Sequence, residues 1–273
     1  MGDAGVIGGL TFAEGRPGAF LRPYVTEFTA YTERYEEPLA RRQPPFAGMV
    51  VIFGFGEPLG LSGPGGRERL ASFTAGLHDT YVDTTTAGVA EGLQVNLTPL
   101  GARRLFGMPM GELANRVVPL EDALGPWAGA AVERLAEATG RSARLALLDA
   151  LLTRRIQAAP APDPRIVRAW ERLSATRGRV PIAALAGELG WSHRHLAARF
   201  RDQIGMTPKS VARVLRFEHA VARLRAGRPP ADTAAACGYY DQAHMNRDFR
   251  AMAGVTPRGL VAPWPECPIA VAG

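Results

Sequence analysis

The chain has 273 residues, which is enough for one large domain or two ordinary ones. Apolar residues make up 47% and charged residues 21%, so a sizeable core can be buried and a disordered chain is excluded. Residues 1–164 carry a formal charge of −3, whereas residues 165–262 carry +10. Only the second part is therefore expected to meet a polyanion.

The two cysteines, Cys237 and Cys267, do not stand in the spacing of a metal site or a disulfide framework. We therefore expect a reduced, cytoplasmic setting and no metal or other cofactor. The N-terminus lacks the charged and then apolar arrangement of a secretory signal. Since no apolar run approaches the ~18–20 residues of a membrane helix, no contact with a membrane is predicted.

Residues 20–98 are predicted to be mainly β. Runs of β-branched and aromatic residues fall at 24–29, 49–53, 80–83 and 93–98, with turn residues between them. The Gly- and Pro-rich stretch 57–66 is predicted to be a loop. Short strands at this spacing are typical of a small sandwich or barrel.

A helix is predicted over 99–107, with Thr98 as its N-cap and proline at its first position. A longer helical region over 127–156 follows, which Gly140 should divide into two helices. These helices could pair between protomers or cover the β-domain. Proline at every second position in 158–164 predicts a stiff linker and a domain boundary.

The segment 185–204 has the pattern of a helix-turn-helix unit. Ala186 is small where the second helix would cross the first, and Gly190 tolerates the positive φ of the turn. Ser192 is suited to cap the second helix. Three apolar residues at a spacing of four then predict one buried stripe, and the opposite stripe is exposed; the two stripes are Leu196, Phe200, Ile204 and Arg194, Ala197, Ala198, Arg201.

The same pattern returns 48 residues later, where Ala234 and Gly238 repeat the alanine and glycine of the first unit. After the turn the offset is 49, so the second turn is one residue longer, and Asp241 takes the capping place. The exposed stripe becomes Ala243, Asn246, Arg247 and Arg250. Both units end in Gly-X-Thr-Pro, and the apolar spacing between them predicts one connecting helix over 208–226.

The segment from about Arg165 to Val261 resembles the DNA-binding domain of the AraC/XylS family. The resemblance lies in Leu185-Ala186, Gly190-Trp191-Ser192, His195-Leu196, Arg199-Phe200, Gly205-Met206-Thr207-Pro208, Ala234, Gly238-Tyr239, Asp241-Gln242, His244, Arg247, Phe249-Arg250 and Gly254-Val255-Thr256-Pro257. It implies that each second helix enters a major groove on one face of double-stranded DNA. It also implies RNA polymerase as a partner and an N-terminal part that senses a small molecule, forms a homodimer, or both.

The predicted architecture is therefore α+β. A mainly-β, cupin-like or related sensor domain with following helices spans 1–157, and the linker spans 158–164. An all-α double helix-turn-helix domain spans 165–262, with units at 182–204 and 231–253, and a tail spans 263–273. Thr233 and Cys237 depart from the residues usual in the family, so looser packing is expected in the second unit.

The residues predicted to meet DNA are Ser192, His193, Arg194, Ala197, Ala198, Arg201, Asp241, Gln242, Ala243, Asn246, Arg247 and Arg250. Arginine suits the O6/N7 edge of guanine and asparagine the N6/N7 edge of adenine. The two alanines of the first unit offer methyl contacts to thymine. For the residues that follow, phosphate contacts remain as open as base contacts: His193, Arg201, Gln242 and Arg250.

The N-terminal stretches 75–78 and 92–102 are similar to a subgroup of actinobacterial AraC-type proteins, and this similarity assigns no ligand. His78 is the only histidine before the linker, which disfavours a metal-dependent enzyme. Without a nucleophile elbow, P-loop or Rossmann motif, no catalytic residue is predicted.

Three functions stay open at this point. The first is a regulator modulated by a small molecule, and the second is a regulator whose N-terminal domain binds a protein or only dimerises. The third is an enzyme with a regulatory DNA-binding tail. An apolar cavity of roughly a few hundred Å³ would favour the first over the second.

Overall fold

The N-terminal half is built on an antiparallel sheet. The computed structural model describes residues 4–7 and 9–261, so the predicted tail 263–273, with Cys267, lies outside the described residues. The strands are β1 (Ala4–Ile7), β2 (Leu10–Gly15), β3 (Val25–Gln43), β4 (Met49–Gly54), β5 (Leu59–Gly63), β6 (Gly66–Leu70), β7 (Phe73–Ala75), β8 (Val82–Leu97) and β9 (Val117–Pro119).

Two long strands, β3 and β8, organise this sheet. The strand order is β1-β2-β3-β8-β4-β7-β9, and the hairpin β5–β6 joins through β5 to the first half of β8. The second half of β8 pairs with β4, while β3 pairs along both halves with a register shift between Tyr35 and Leu39. Such an irregularity bends a strand, so the sheet rolls around an interior space.

The prediction of a loop over 57–66 is wrong, because β5 lies within this stretch. Its glycines lie in a paired strand, because Gly60 pairs with Arg69 of β6 and with Thr85 of β8, and Gly63 pairs with Gly66 of β6. The presence of glycine therefore does not mark an unpaired loop here.

The helices are α1 (Pro99–Phe106), α2 (Leu120–Leu124), α3 (Pro126–Glu137), α4 (Arg141–Ala158), α5 (Pro164–Ala175), α6 (Ile182–Glu188), α7 (His193–Ile204), α8 (Pro208–Arg225), α9 (Pro230–Ala236), α10 (Gln242–Ala253) and α11 (Pro257–Val261), with a 3₁₀ helix at Met110–Leu113. As predicted, Thr98 caps α1 and accepts a hydrogen bond from the Gly101 N–H at 3.1 Å. Gly140, at φ +86°, separates α3 from α4, and α8 is the expected connecting helix.

One continuous hydrophobic core joins the outer face of the sheet, the helices α1 to α4 and the first helix-turn-helix unit. Val95 of β8, Leu152 of α4 and Phe200 of α7 are completely buried within it. The apolar residues of α3 and α4 thus cover the β-domain. The apolar faces of α3 and α4 are therefore already covered within one chain. The alternative considered from the sequence was that these faces pair between two protomers.

The second helix-turn-helix unit has a core of its own, which includes Phe217 of α8 and Phe249 of α10. Their ring centroids lie 4.8 Å apart at an interplanar angle of 58°. Cys237 and Thr233 are fully buried in this unit, so the departures from the family pattern lie in its interior.

Phe249→Ala should lower the free energy of unfolding by about 3–5 kcal/mol, because it removes a buried ring and leaves a cavity. Urea denaturation followed by circular dichroism measures the change. Tyr240→Ala, at a ring that is 94% exposed in the same unit, is the control and should change stability by less than about 0.5 kcal/mol. Equal losses in the two variants would contradict this assignment of the core.

Candidate nucleic-acid interface

The turn of the first unit directs α7 across α6. Gly190 adopts φ +65°, a conformation that L-residues with a side chain rarely take. The Trp191 N–H donates to the Ala186 carbonyl at 3.0 Å, and Ser192 Oγ accepts from the His195 N–H at 3.2 Å. The predicted turn glycine and N-cap therefore both stand in these roles.

The second unit repeats this geometry closely. Gly238 adopts φ +75°, and the Tyr239 N–H donates to the Ala234 carbonyl at 3.0 Å. Asp241 Oδ1 accepts from the His244 N–H at 2.6 Å and so caps α10. The turn therefore keeps the same hydrogen bond although the second unit has one residue more before its cap.

The buried stripes fix the rotation of both second helices. Leu196, Phe200 and Ile204 of α7 are fully buried, as are Met245 and Phe249 of α10. The opposite faces therefore point outward. The predicted contact residues that are exposed are Ser192, His193, Arg194, Ala198, Arg201, Asp241, Gln242, Ala243, Arg247 and Arg250, whereas Ala197 and Asn246 are half-buried.

The arginines on these faces remain available to a partner. Within residues 4–7 and 9–261, no ion pair involves Arg194, Arg201, Arg247 or Arg250. By contrast, Arg213 holds the buried Asp248 at 2.9 Å on the inner side of α10. The structure thus separates arginines that serve the fold from arginines that offer free donors.

His195 and His244 occupy equivalent structural places. His195 packs edge-on against Trp191 with ring centroids 4.8 Å apart, and His244 packs edge-on against Tyr239 at 5.2 Å. Each pair braces a turn against the helix that follows it.

Tyr240 is a surface feature that the sequence comparison of the units did not single out. It is the extra residue of the second turn, and its side chain is 94% exposed directly before the cap of α10. The change of offset from 48 to 49 was the signal that could have identified it. An exposed ring with a phenolic hydroxyl beside Gln242 enlarges the outward face of the second unit.

The C-terminal end of α7 is docked on the N-terminal half of the chain. A methyl group on Gly111 of the 3₁₀ helix would lie 3.5 Å from the Arg201 carbonyl oxygen. The Asp163 N–H donates to Gln203 Oε1 at 2.9 Å, and Arg199 Nη2 lies 3.3 Å from Asp163 Oδ2. The linker therefore ends in polar contacts with the helix that is predicted to enter DNA.

The second unit touches the rim of the rolled sheet. Thr80 Oγ1 donates to the Ala251 carbonyl at 3.1 Å, and a methyl group on Gly254 would lie 3.0 Å from Tyr81 Cε1. The Ala47 N–H donates to the carboxylate of Glu218 on α8. The C-terminal end of this unit and the connecting helix α8 thus both contact the N-terminal half of the chain.

The interior of the rolled sheet is a cavity of about 120 Å³. Its apolar lining includes Ile52, Leu59, Leu61, Phe73, Val82 and Val117, and its polar lining includes Glu33, Arg41, His78, Thr80, Thr84, Thr86 and Gln94. Glu33 and Arg41 form a buried ion pair at 2.9 Å. The cavity is smaller than the few hundred Å³ considered from the sequence, which limits the size of any occupant.

In the part of the chain that the structure describes, no group of three or more His, Cys, Asp or Glu side chains could hold a metal ion. Over the same residues, none of the helices combines the length and the apolar character that crossing a lipid bilayer demands.

Comparison with known proteins assigns the C-terminal part. Residues 185–262 match the family model of a helix-turn-helix domain, and residues 13–119 match a domain of unknown function, DUF6597. A relative from Bacillus subtilis (strain 168), the uncharacterized HTH-type transcriptional regulator YbfI, is 38% identical over 66 residues. That match covers 24% of this chain and 24% of the relative, so this chain spans about a quarter of the length of the relative.

Residues 185–262 are therefore a helix-turn-helix domain.

Solved structures give more distant similarities. Fatty-acid-bound wild-type ToxT from Vibrio cholerae strain SCE256 is 10% identical, with a TM-score of 0.49 over 92% of this chain and 98% of that chain. A probable AraC family regulator from Rhodopseudomonas palustris CGA009 is 26% identical, with a TM-score of 0.33 over 36% of this chain and 95% of that chain. Both TM-scores lie below 0.5.

Arg194→Ala should cost about 1–3 kcal/mol of DNA binding and relax specificity at one base pair, because the sequence predicts a bidentate base contact for Arg194. Fluorescence anisotropy with a series of single-base variants of the bound site measures the effect. Arg154→Ala, at an exposed arginine of α4, removes the same charge and should leave the base preferences unchanged. A uniform loss across all sequences would instead make Arg194 a phosphate contact.

Proposed function

We propose that the protein is a sequence-specific transcription regulator that inserts α7 and α10 into adjacent major grooves of double-stranded DNA. The observation that supports this most directly is the repeated turn with its outward, arginine-bearing helix face. Two near-copies of one turn, joined by a single helix, present unpaired guanidinium groups on surfaces that the core leaves free.

Base readout falls mainly to the two stripes. Arg194 and Arg247 offer forked donors to guanine, and the half-buried Asn246 offers an amide to adenine. Ala197 and Ala198 provide methyl contacts to thymine. The other predicted contact residues, together with Tyr240, lie beside the DNA sugar-phosphate backbone or the outer bases and position the two helices. These residues are Ser192, His193, Arg201, Asp241, Gln242, Ala243 and Arg250.

Selection of bound fragments from random DNA by the full chain tests this function. We expect two short conserved motifs separated by about one helical turn. Arg194→Ala should relax one motif and Arg247→Ala the other, which assigns each motif to a unit. Failure to enrich any sequence, or loss of both motifs in each variant, would overturn the proposed mode of binding.

Binding should weaken steeply as salt rises, with a slope of log K against log salt of about −0.9 per neutralised phosphate. The physical cause is the release of counterions when the +10 C-terminal part displaces them from the duplex. Titrations at increasing potassium chloride concentrations measure the slope. A flat response would contradict groove binding by these arginine-bearing faces.

We further propose that a small molecule in the cavity of the sheet modulates DNA binding. The rim of the cavity includes Pro44, Pro45 and Phe46, and the same three residues line a groove along α8. Thr80 borders the cavity and also donates to α10. An occupant that shifts this rim can therefore change how the second unit is held.

A protein-binding N-terminal domain is the second candidate. The apolar lining of the cavity supports a small-molecule effector instead, and the volume of about 120 Å³, below the few hundred Å³ of a usual ligand pocket, restricts that effector to a very small molecule. Homodimerisation remains a proposal, and it needs surfaces other than the apolar faces of α3 and α4. The family resemblance also leads us to propose RNA polymerase as a partner and a cytoplasmic location. We propose no catalytic or cofactor role. Light scattering on the purified chain tests the oligomeric state.

Burial raises the pKa of Glu218 to about 7. The hydrogen bond that its carboxylate accepts from the Ala47 N–H lowers the pKa, but by less than burial raises it. The groove around it also contains Arg177, His219, Arg223, Arg225 and Arg228, while the N-terminal half contributes the uncharged Pro44, Pro45 and Phe46. An unfolded glutamate has a pKa of about 4.3. The native state therefore binds this proton more tightly, and the stability that protonation supplies is lost as pH rises through about 7.

Glu218→Gln should raise the melting temperature at pH 8, because the charge of a partly buried carboxylate is removed while an acceptor for the Ala47 N–H remains. An effect of about 1 kcal/mol corresponds to roughly 2–4 °C, and it should shrink towards pH 5. Differential scanning fluorimetry across this pH range measures it. Glu171→Gln, at an exposed position of α5, is the control. A difference in melting temperature between Glu218→Gln and the unmodified chain that is the same at every pH would refute the raised pKa of Glu218.

A further inference from the structure

The cavity of the sheet has two chemically distinct sides. Its larger side is apolar, as Ile52, Leu61 and Phe73 show. Its volume of about 120 Å³ is slightly below that of an engineered protein cavity of ~150 Å³ that binds benzene. An occupant of about six or seven non-hydrogen atoms with a mainly apolar body fits this space.

The charges in the cavity wall cancel each other. Arg41 Nη1 donates to both carboxylate oxygens of Glu33, at 2.9 and 3.0 Å, and Arg41 Nη2 donates to the Tyr35 hydroxyl. Thr86 Oγ1 donates to Glu33 Oε2 at 2.7 Å. Because this carboxylate and this guanidinium already neutralise one another, a charged occupant would lose its hydration without meeting an unpaired opposite charge. The wall therefore favours an uncharged molecule.

His78 is a polar group of this wall, and the hydrogen bonding of its ring is incomplete. The side chain is nine-tenths buried, and its Nδ1 lies 2.6 Å from the Gly76 carbonyl oxygen. Since a carbonyl only accepts, Nδ1 carries the proton. Burial lowers the pKa of His78, which favours the neutral ring. Nε2 is then an acceptor, and it has no partner among the described residues.

A buried acceptor without a donor costs free energy, and native structures rarely keep one without a reason. We propose that the effector is a small uncharged molecule of about one ring, with an apolar body and a single hydroxyl or N–H group that donates to His78 Nε2. This inference rests on the proposed function, because it takes the cavity to be the effector site.

Three probes of similar size test this chemistry on the full chain by calorimetric titration. Phenol and toluene have the same number of non-hydrogen atoms, but only phenol carries a donor. Butyrate is an anion that also fits the volume. We expect phenol to bind roughly threefold to tenfold more tightly than toluene, which corresponds to one neutral hydrogen bond, and butyrate not to bind.

His78→Leu should remove the preference for phenol and retain toluene binding, whereas His219→Leu, at a histidine outside the cavity, should keep the preference. Equal affinity for phenol and toluene, tighter binding of butyrate, or no binding of any probe would overturn the inference.

If His78→Leu does not fold, ¹⁵N NMR of histidine-labelled unmodified chain decides the matter. The Nε2 resonance of His78 should move when phenol is added and stay in place when toluene is added, and an unmoved resonance with phenol would refute the contact. DNA selection on the same preparation is a separate readout. Enriched DNA sites without a phenol preference would reject the ligand class alone, whereas failure to enrich DNA would reject the regulator proposal.

Discussion

A single main-chain hydrogen bond across each turn sets the direction in which the second helix leaves the first. The Trp191 N–H reaches the Ala186 carbonyl, and the Tyr239 N–H reaches the Ala234 carbonyl, both at 3.0 Å. This bond requires a left-handed glycine one residue earlier and a small side chain where the helices cross. Once the direction is fixed, the buried stripe determines which side chains face outward. The candidate DNA surface is therefore a consequence of backbone geometry before any arginine is considered.

The two units depend on different cores, although their turns are alike. The first shares one continuous core with the outer face of the sheet, and the end of α7 packs against the 3₁₀ helix. The second has a separate core and meets the sheet through rim contacts such as Thr80 with Ala251. Because few polar contacts are easier to rearrange than a shared apolar core, the second unit is the one whose placement the rim of the cavity can influence.

Local chemistry made the helical part predictable from sequence. A capping residue such as Ser192 or Asp241, a left-handed glycine and a proline after threonine each act within a few residues, so their pattern survives in one sequence. The fold class and the exposed stripes followed from these features. The assignment of individual DNA contacts remains a prediction, since exposure alone does not distinguish a base from a phosphate.

The N-terminal part was less predictable because its determining contacts are distant in sequence. The glycines of β5 indicated a loop, but the pairing of this strand with β8 depends on residues that are about 20 positions away in the sequence. β3 continues past Pro38 because a register shift accommodates the proline. From the sequence, His78 was considered only as a metal ligand. In the structure the Gly76 carbonyl takes up Nδ1, and burial leaves Nε2 without a hydrogen-bond partner among the described residues. The sequence carries no periodic pattern for such relationships.

The continuity of the first unit with the sheet has a consequence for modular engineering. Ile204 and Met206 belong to the same apolar cluster as Phe106 and Met110 of the N-terminal half. A chimera that joins this helix-turn-helix domain to a foreign sensor would leave these side chains in water unless the new sensor supplied a matching apolar surface. Exchange of effector domains would thus be limited by solubility and aggregation as well as by the length of the joining peptide.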